Sequence, residues 1–200
     1  MSPFWFLHRL GVALFWTFWV VVAVMLYQHR EALAPLRDLG ELAWHRKPAP
    51  AEGHPRLEGQ GVRAYSGLGF EFRGTNGVAL NIGLAGVVLD GAITNAQSGA
   101  RSLLEAARGH LDRTIAGRPL VIELLVSNPQ ARTGLGVAFV EGTNVNVLTL
   151  RQGFGRVQRE QIRTLPLRQQ WEFLQAERTA RREGRGWWQR DLEQPRLPAP

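Results

Sequence analysis

Val145–Val157, VNVLTLRQGFGRV, is the stretch that decides the fold. Val145 and Leu148 fall three apart, as neighbours on one helical face do. Asn144 to Gln152 therefore reads as a short helix, and Gly153 ends it as a left-handed cap. So short a helix is stable only when seated on something larger, and Val145, Leu148 and Leu150 are expected to fill the mouth of a barrel. Working outward, Leu120 to Val126 and Gly136 to Val140 read as strands, with Glu141-Gly142-Thr143 as a turn after them. Further upstream, Leu103, Leu104, Ala107, Leu111 and Ile115 share a helical face behind Ser98, and Gly117 closes that helix. Before it lie three more strands, Leu57–Tyr65, Gly69–Arg73 and Val78–Leu84, the last two joined by Gly74-Thr75-Asn76-Gly77, a hairpin turn. Downstream, Leu167 to Glu183 is a long helix stopped by Gly184, with Trp187-Trp188 beyond. Three strands, a helix, two strands and two helices make an α+β order, and a five-stranded OB-type barrel with three helices satisfies it.

Together, Val145–Val157, Ala176-Glu177-Arg178-Thr179-Ala180-Arg181, Gly184-Arg185-Gly186-Trp187 and Gly134-Leu135-Gly136-Val137-Ala138-Phe139 resemble the staphylococcal-nuclease (thermonuclease) domain. There a fifth strand and a turn precede a helix reading roughly V-N-x-x-L-V-x-x-G-L-A-x-V, and a long helix carries A-E-x-x-A-R and ends in G-x-W. The likeness spans Leu57 to Trp188 and is firmest in the C-terminal half. It implies an SNase-like barrel with Trp187 or Trp188 sealing the long helix.

The resemblance also implies a reaction that can be tested position by position. Metal-assisted phosphodiester hydrolysis needs acids on a calcium ion, a glutamate for the attacking water and two arginines for the phosphoryl charge. The early acid of a D-G-D-T turn falls on Leu68 of Ser66-Gly67-Leu68-Gly69. The places of R-x-x-x-x-D-x-x-E fall on Asn81, Gly86 and Leu89. A shifted register using Asp90 puts Ala85 and Ile93 at the other two. The second arginine, after a Y-G pair, falls on Leu135 behind Thr133-Gly134. Arg73 and Arg132 lie near these places but have no acid to work with. The expectation is a degenerate nuclease, not an enzyme, with no catalytic residue, metal or cofactor. Leu84-Ala85-Gly86-Val87 is similar to the segment that membrane-anchored members lacking the catalytic set carry in place of the catalytic turn.

Leu10 to Tyr27, LGVALFWTFWVVVAVMLY, has no charged side chain. At the helical rise it spans roughly 27 Å, close to the hydrocarbon thickness of a bilayer. Trp5 and Tyr27 stand where an interfacial aromatic belt would. A cleaved signal peptide would have a shorter apolar core and small residues directly after it, whereas Met25-Leu26-Tyr27-Gln28 follows here. One N-terminal transmembrane helix is expected, within an anchor over 4–30. Phe15, Trp16, Phe18 and Trp19 are either lipid contacts or a contact for a membrane partner. Arg30, Arg37, Arg46 and Lys47 follow the span, and only Arg9 precedes it, which predicts the soluble domain on the cytoplasmic (or matrix) side. A juxtamembrane helix over 31–46, with Pro35 in its first turn and Trp44 at the interface, is followed by a Pro-rich linker over 47–55. The OB domain covers 56–190, and a Pro-rich tail covers 191–200.

Cysteine is absent, which excludes disulfides and thiolate chemistry. The net charge of +7 comes almost wholly from arginine. Arg159, Arg163, Arg178, Arg181, Arg182 and Arg185 form a hypothetical basic face for phosphate, against the plainer reading of a solvated helix. Three functions remain open: a membrane-anchored binding or scaffold protein, such as an accessory subunit of a membrane complex; a tethered binder of nucleic acid or anionic lipid; and a nuclease with a rewired site.

Overall fold

The computed structural model describes residues 3–28, 30–45, 47–48, 50, 53–89 and 98–189, and their side chains except at 3–14, 26, 30–36 and 98–100. Asp90, Ile93 and the 191–200 tail lie outside the described residues. The chain divides into two compact units, Met1–His45 and Arg46–Pro200.

The first unit holds two helices, α1 (Pro3–Gln28) and α2 (Arg30–Trp44). On α1, all residues from Phe15 to Val21 are exposed, around the full turn of the helix. Among the described residues, no helix is long and apolar enough to cross a membrane. The side chains at the start of the expected span, Leu10 to Leu14, lie outside that description. α2 runs through Pro35, its sixth residue, where an interruption of the first turn was expected.

In the second unit, β1 (Arg56–Ser66), β2 (Gly69–Gly74) and β3 (Ala79–Leu84) form an antiparallel meander. A short β4 (Val87–Val88) and helix α3 (Ser98–Ile115) follow. Then come β5 (Pro119–Asn128) and β6 (Thr133–Val140), longer than their apolar cores predicted because Thr133 to Leu135 of β6 also pair with β3. The order β3-β2-β1-β5-β6 closes on itself through a parallel β3–β6 pairing. The result is a closed five-stranded barrel of OB type with helices around it. Phe70, Phe72, Ile82, Leu84, Leu120, Ile122, Ala138 and Val140 alternate inward along the strands and are buried.

Where β1 bulges around Ala64, helix α3 completes its hydrogen bonding. The Ala64 N–H donates to Asp112 Oδ1 at 2.7 Å, and Arg108 Nε donates to the Ala64 carbonyl at 3.2 Å. Two side chains thus stand in for a strand, so the bulge leaves no buried backbone group unpaired.

After β6 come β7 (Thr143–Asn144), α4 (Val145–Arg151), β8 (Arg156–Val157), α5 (Arg159–Ile162) and α6 (Leu167–Arg182). Asn144 caps α4 by accepting from Val147 N–H. Val145 and Leu150 are fully buried, whereas Leu148 is only partly so. Three helices were expected in this unit. The single turn α5 is a fourth, and it forms because Ile162 is drawn fully into the core while Gln161 Oε1 accepts from the Gly86 N–H at 2.8 Å. The two-residue ladder of β4 with β8 was also not foreseen. It is too short to leave a periodic pattern.

Both glycine stops behave as expected. α4 ends with Gly153 N–H to Leu150 C=O and Phe154 N–H to Thr149 C=O; α6 repeats the pattern with Gly184 to Arg181 and Arg185 to Ala180. The two ends pack backbone to backbone. A methyl on Gly153 would run into the Arg185 carbonyl, and one on Gly186 into the Gly153 carbonyl. Trp187 N–H donates to Gly153 C=O at 3.0 Å and locks the pair.

Candidate functional site

The five places tested for nuclease chemistry separate into two groups. Leu68, Asn81 and Leu135 share one region of the barrel wall. Leu84 N–H donates to Leu68 C=O at 2.8 Å, Leu135 is paired with Gly83, and Asn81 with Thr133. Leu68 and Leu135 pack against the core, and Asn81 is exposed. Gly86 and Leu89 lie elsewhere. Gly86 turns at φ +73, and a methyl there would strike Ile162 and Phe173. Leu89 packs on Trp187 with Leu103 and Leu104. Leucine carbons and a sealed glycine offer no ligand to a cation. Among the described residues, no three His, Asp or Glu side chains are grouped to hold a metal ion. Arg73 is exposed on β2, and Arg132 sits at φ +50 in the β5–β6 turn.

The arginines of the hypothetical basic face come from two helices, and several already have work inside the fold. Arg163 meets Glu160 at 2.7 Å and Arg185 meets Glu183 at 2.7 Å. The Arg181 guanidinium lies 4.2 Å from the centre of the Trp188 ring, with Arg156 at 4.7 Å from the same ring. Arg178 lies 5.9 Å from the Trp171 ring. Each such contact spreads the cation over an aromatic face and reduces what is left for an outside anion. Arg159 opens α5, and Arg182 is exposed at the end of α6.

In the first unit, the aromatic residues of α1 stack on one another edge to face. Phe15 meets Trp16 at 6.1 Å and Trp19 at 6.2 Å, and Phe18 meets Trp19 at 5.9 Å. All four remain more than half exposed.

A site that sequence reasoning missed lies on the barrel wall. A cavity of about 380 Å³ is lined by Glu58 and Gly59 of β1, Thr75, the β5 start Pro119-Leu120-Val121, Phe139 of β6, and the turn Glu141-Gly142. Four separate segments build it, with up to 84 positions between Glu58 and Gly142, so no motif announced it. The turn at Glu141 (φ +50) and Gly142 (φ +78) aims the Glu141 side chain from the end of β6. Comparison with known proteins adds no identity to this geometry: no protein-family model matches the chain, and none of the curated proteins searched matches it.

Proposed function

We propose that this protein is a non-catalytic, membrane-anchored binding or scaffold protein, with an SNase-like barrel held at a bilayer by α1. The observation that carries the reading is the character of the nuclease places. Leu68 and Leu135 are core-packing carbons, and Gly86 is closed in by Ile162 and Phe173. A barrel that loses its chemistry keeps its binding surfaces. The membrane half rests on α1, whose apolar residues are exposed all round between Phe15 and Val21. Such a helix is costly in water and stable in lipid or against other apolar helices. The excess of Lys and Arg after the span favours the cytoplasmic (or matrix) side for the barrel. The SNase-like assignment is supported by the paired glycine-capped ends of α4 and α6, where the motifs quoted above fall.

The nucleic-acid or anionic-lipid reading draws on ten arginines against four acids between Arg151 and Arg190. The stacking and ion pairing of Arg163, Arg178, Arg181 and Arg185 weigh against it. Purification of the full chain in mild detergent tests the scaffold reading. A stoichiometric membrane-protein partner is expected, and a chain that purifies alone refutes it. In the same preparation, single-stranded DNA should survive in calcium. Cleavage that stops when calcium is removed would restore the nuclease reading.

A further inference from the structure

The cavity on the barrel wall holds two acids that the rest of the molecule leaves alone. Among the described carboxylates of the second unit, Glu71, Glu123, Glu160, Glu172 and Glu183 each pair with an arginine. Asp112 and Glu177 each accept a backbone N–H. Among these, the carboxylates of Glu58, Glu105 and Glu141 have no such partner, although the Glu58 backbone carbonyl accepts from the Thr75 N–H at 3.0 Å. Two of those three line this one cavity. Basic residues outnumber acidic ones by 24 to 17. Glu58 and Glu141 are therefore not unpaired for want of cations in the chain.

The lining between them is apolar, with Pro119, Val121 and Phe139. An occupant that suits both features has an apolar stem and a cationic head. Arginine and lysine side chains are built that way, and they lay their methylenes on apolar surface while the charge reaches outward. Phosphate and nucleic acid are repelled by the same two carboxylates. The volume is within the range of pockets that take a side chain or small ligand.

The source of the cation follows from the membrane-tethered scaffold reading, on which this inference rests. Membrane proteins concentrate Lys and Arg in the segments beside their spans on the cytoplasmic side, next to apolar residues. A tether raises the local concentration of the barrel around such segments. We propose that the groove docks the basic juxtamembrane segment of a neighbouring membrane protein. The cation's stem rests on Phe139 and Val121, and its head is held by Glu58 and Glu141.

The test uses the full chain in nanodiscs of zwitterionic lipid at about 50 mM salt, where exposed charge pairs are weakly screened. The probe is a short labelled peptide alternating leucine and arginine, read by fluorescence anisotropy. Wild type and Glu105→Gln should bind it alike, and the double variant Glu58→Gln/Glu141→Gln about ten-fold more weakly. A leucine–glutamate peptide should not bind. Equal affinity of all three chains, or no binding by wild type, overturns the groove. Circular dichroism melting of the double variant guards against misfolding. Side-by-side detergent purification separates the two ideas. A partner kept by both wild type and the double variant overturns the groove and leaves the scaffold standing. A partner lost only from the double variant, together with the peptide result, supports both. No partner with either chain overturns the scaffold and the groove with it.

Discussion

The two units of the molecule invert one another. In α1, the residues from Phe15 to Val21, all apolar but Thr17, face outward. In the barrel, the core residues face inward, and some of the polar side chains inside are engaged. Asn146 is the clearest case. It is fully buried, accepts from Ala138 N–H at 3.0 Å, and donates to the carbonyls of Ala85 at 2.7 Å and Gly136 at 3.1 Å. One side chain thereby ties α4 to the end of β3 and to β6. The difference teaches where each unit finds its stability. The barrel carries its own apolar solvent, its core. α1 has no such core among its described side chains, and on the proposed reading a bilayer or another helix would supply it.

Opposite substitutions should therefore break the two units. The largest effect is expected from Asn146→Leu. It removes polarity from the barrel interior but strands the Ala138 N–H and the Ala85 carbonyl, while the Gly136 carbonyl keeps the Ala85 N–H, a loss of about 3 kcal/mol. Urea unfolding of the full chain would measure it, and an unchanged midpoint would remove Asn146 from the centre of the fold. The next effect is the converse. Val20→Arg places a charge in the middle of the expected span, at a cost of about 3 kcal/mol for insertion. The fraction resisting alkaline carbonate extraction should fall. A fraction equal to wild type would mean that α1 is not embedded in lipid.

The smallest expected effect sharpens the comparison inside the barrel unit. His110 on α3 lies 5.4 Å from the Phe154 ring, and burial, aided by Arg113, holds its imidazole below the usual histidine value. The folded chain then binds this proton less readily than the unfolded chain. The contribution is present above the ordinary histidine value of about 6.5 and is lost as pH falls through it towards the lowered folded value. Thermal unfolding at about pH 5 should give a lower Tm than at about pH 7, by on the order of a degree or two. His110→Gln should flatten that difference. A slope that survives the substitution would move the titration to another group.

Much of the barrel was legible because its signals are local. Gly153 and Gly184 stop helices through bonds that span five residues, and the Gly74–Gly77 turn sets a hairpin with its own backbone. Phe70 and Phe72, two apart on β2, both turn inward. Less could be seen where the structure joins distant segments. Asn146 looked like one polar position on a short helix, yet it meets Ala85, 61 residues away. Asp112 looked like part of an exposed helical face, yet it finishes β1 from a distance of 48 residues.

The sequence by itself determined the order of the five barrel strands and of α3, α4 and α6, the points where helices stop, and the uncharged run at Leu10–Tyr27. Each of these follows from residue type and near-neighbour spacing, through propensity, capping and charge. Tertiary structure alone decided the parallel closure of β3 on β6, the sealing of Gly86 under Ile162 and Phe173, and the gathering of Glu58 and Glu141 at one cavity while most other acids found partners. Those outcomes depend on which side chains meet through space, and chain folding brings together residues whose separation along the sequence carries no signal of the contact.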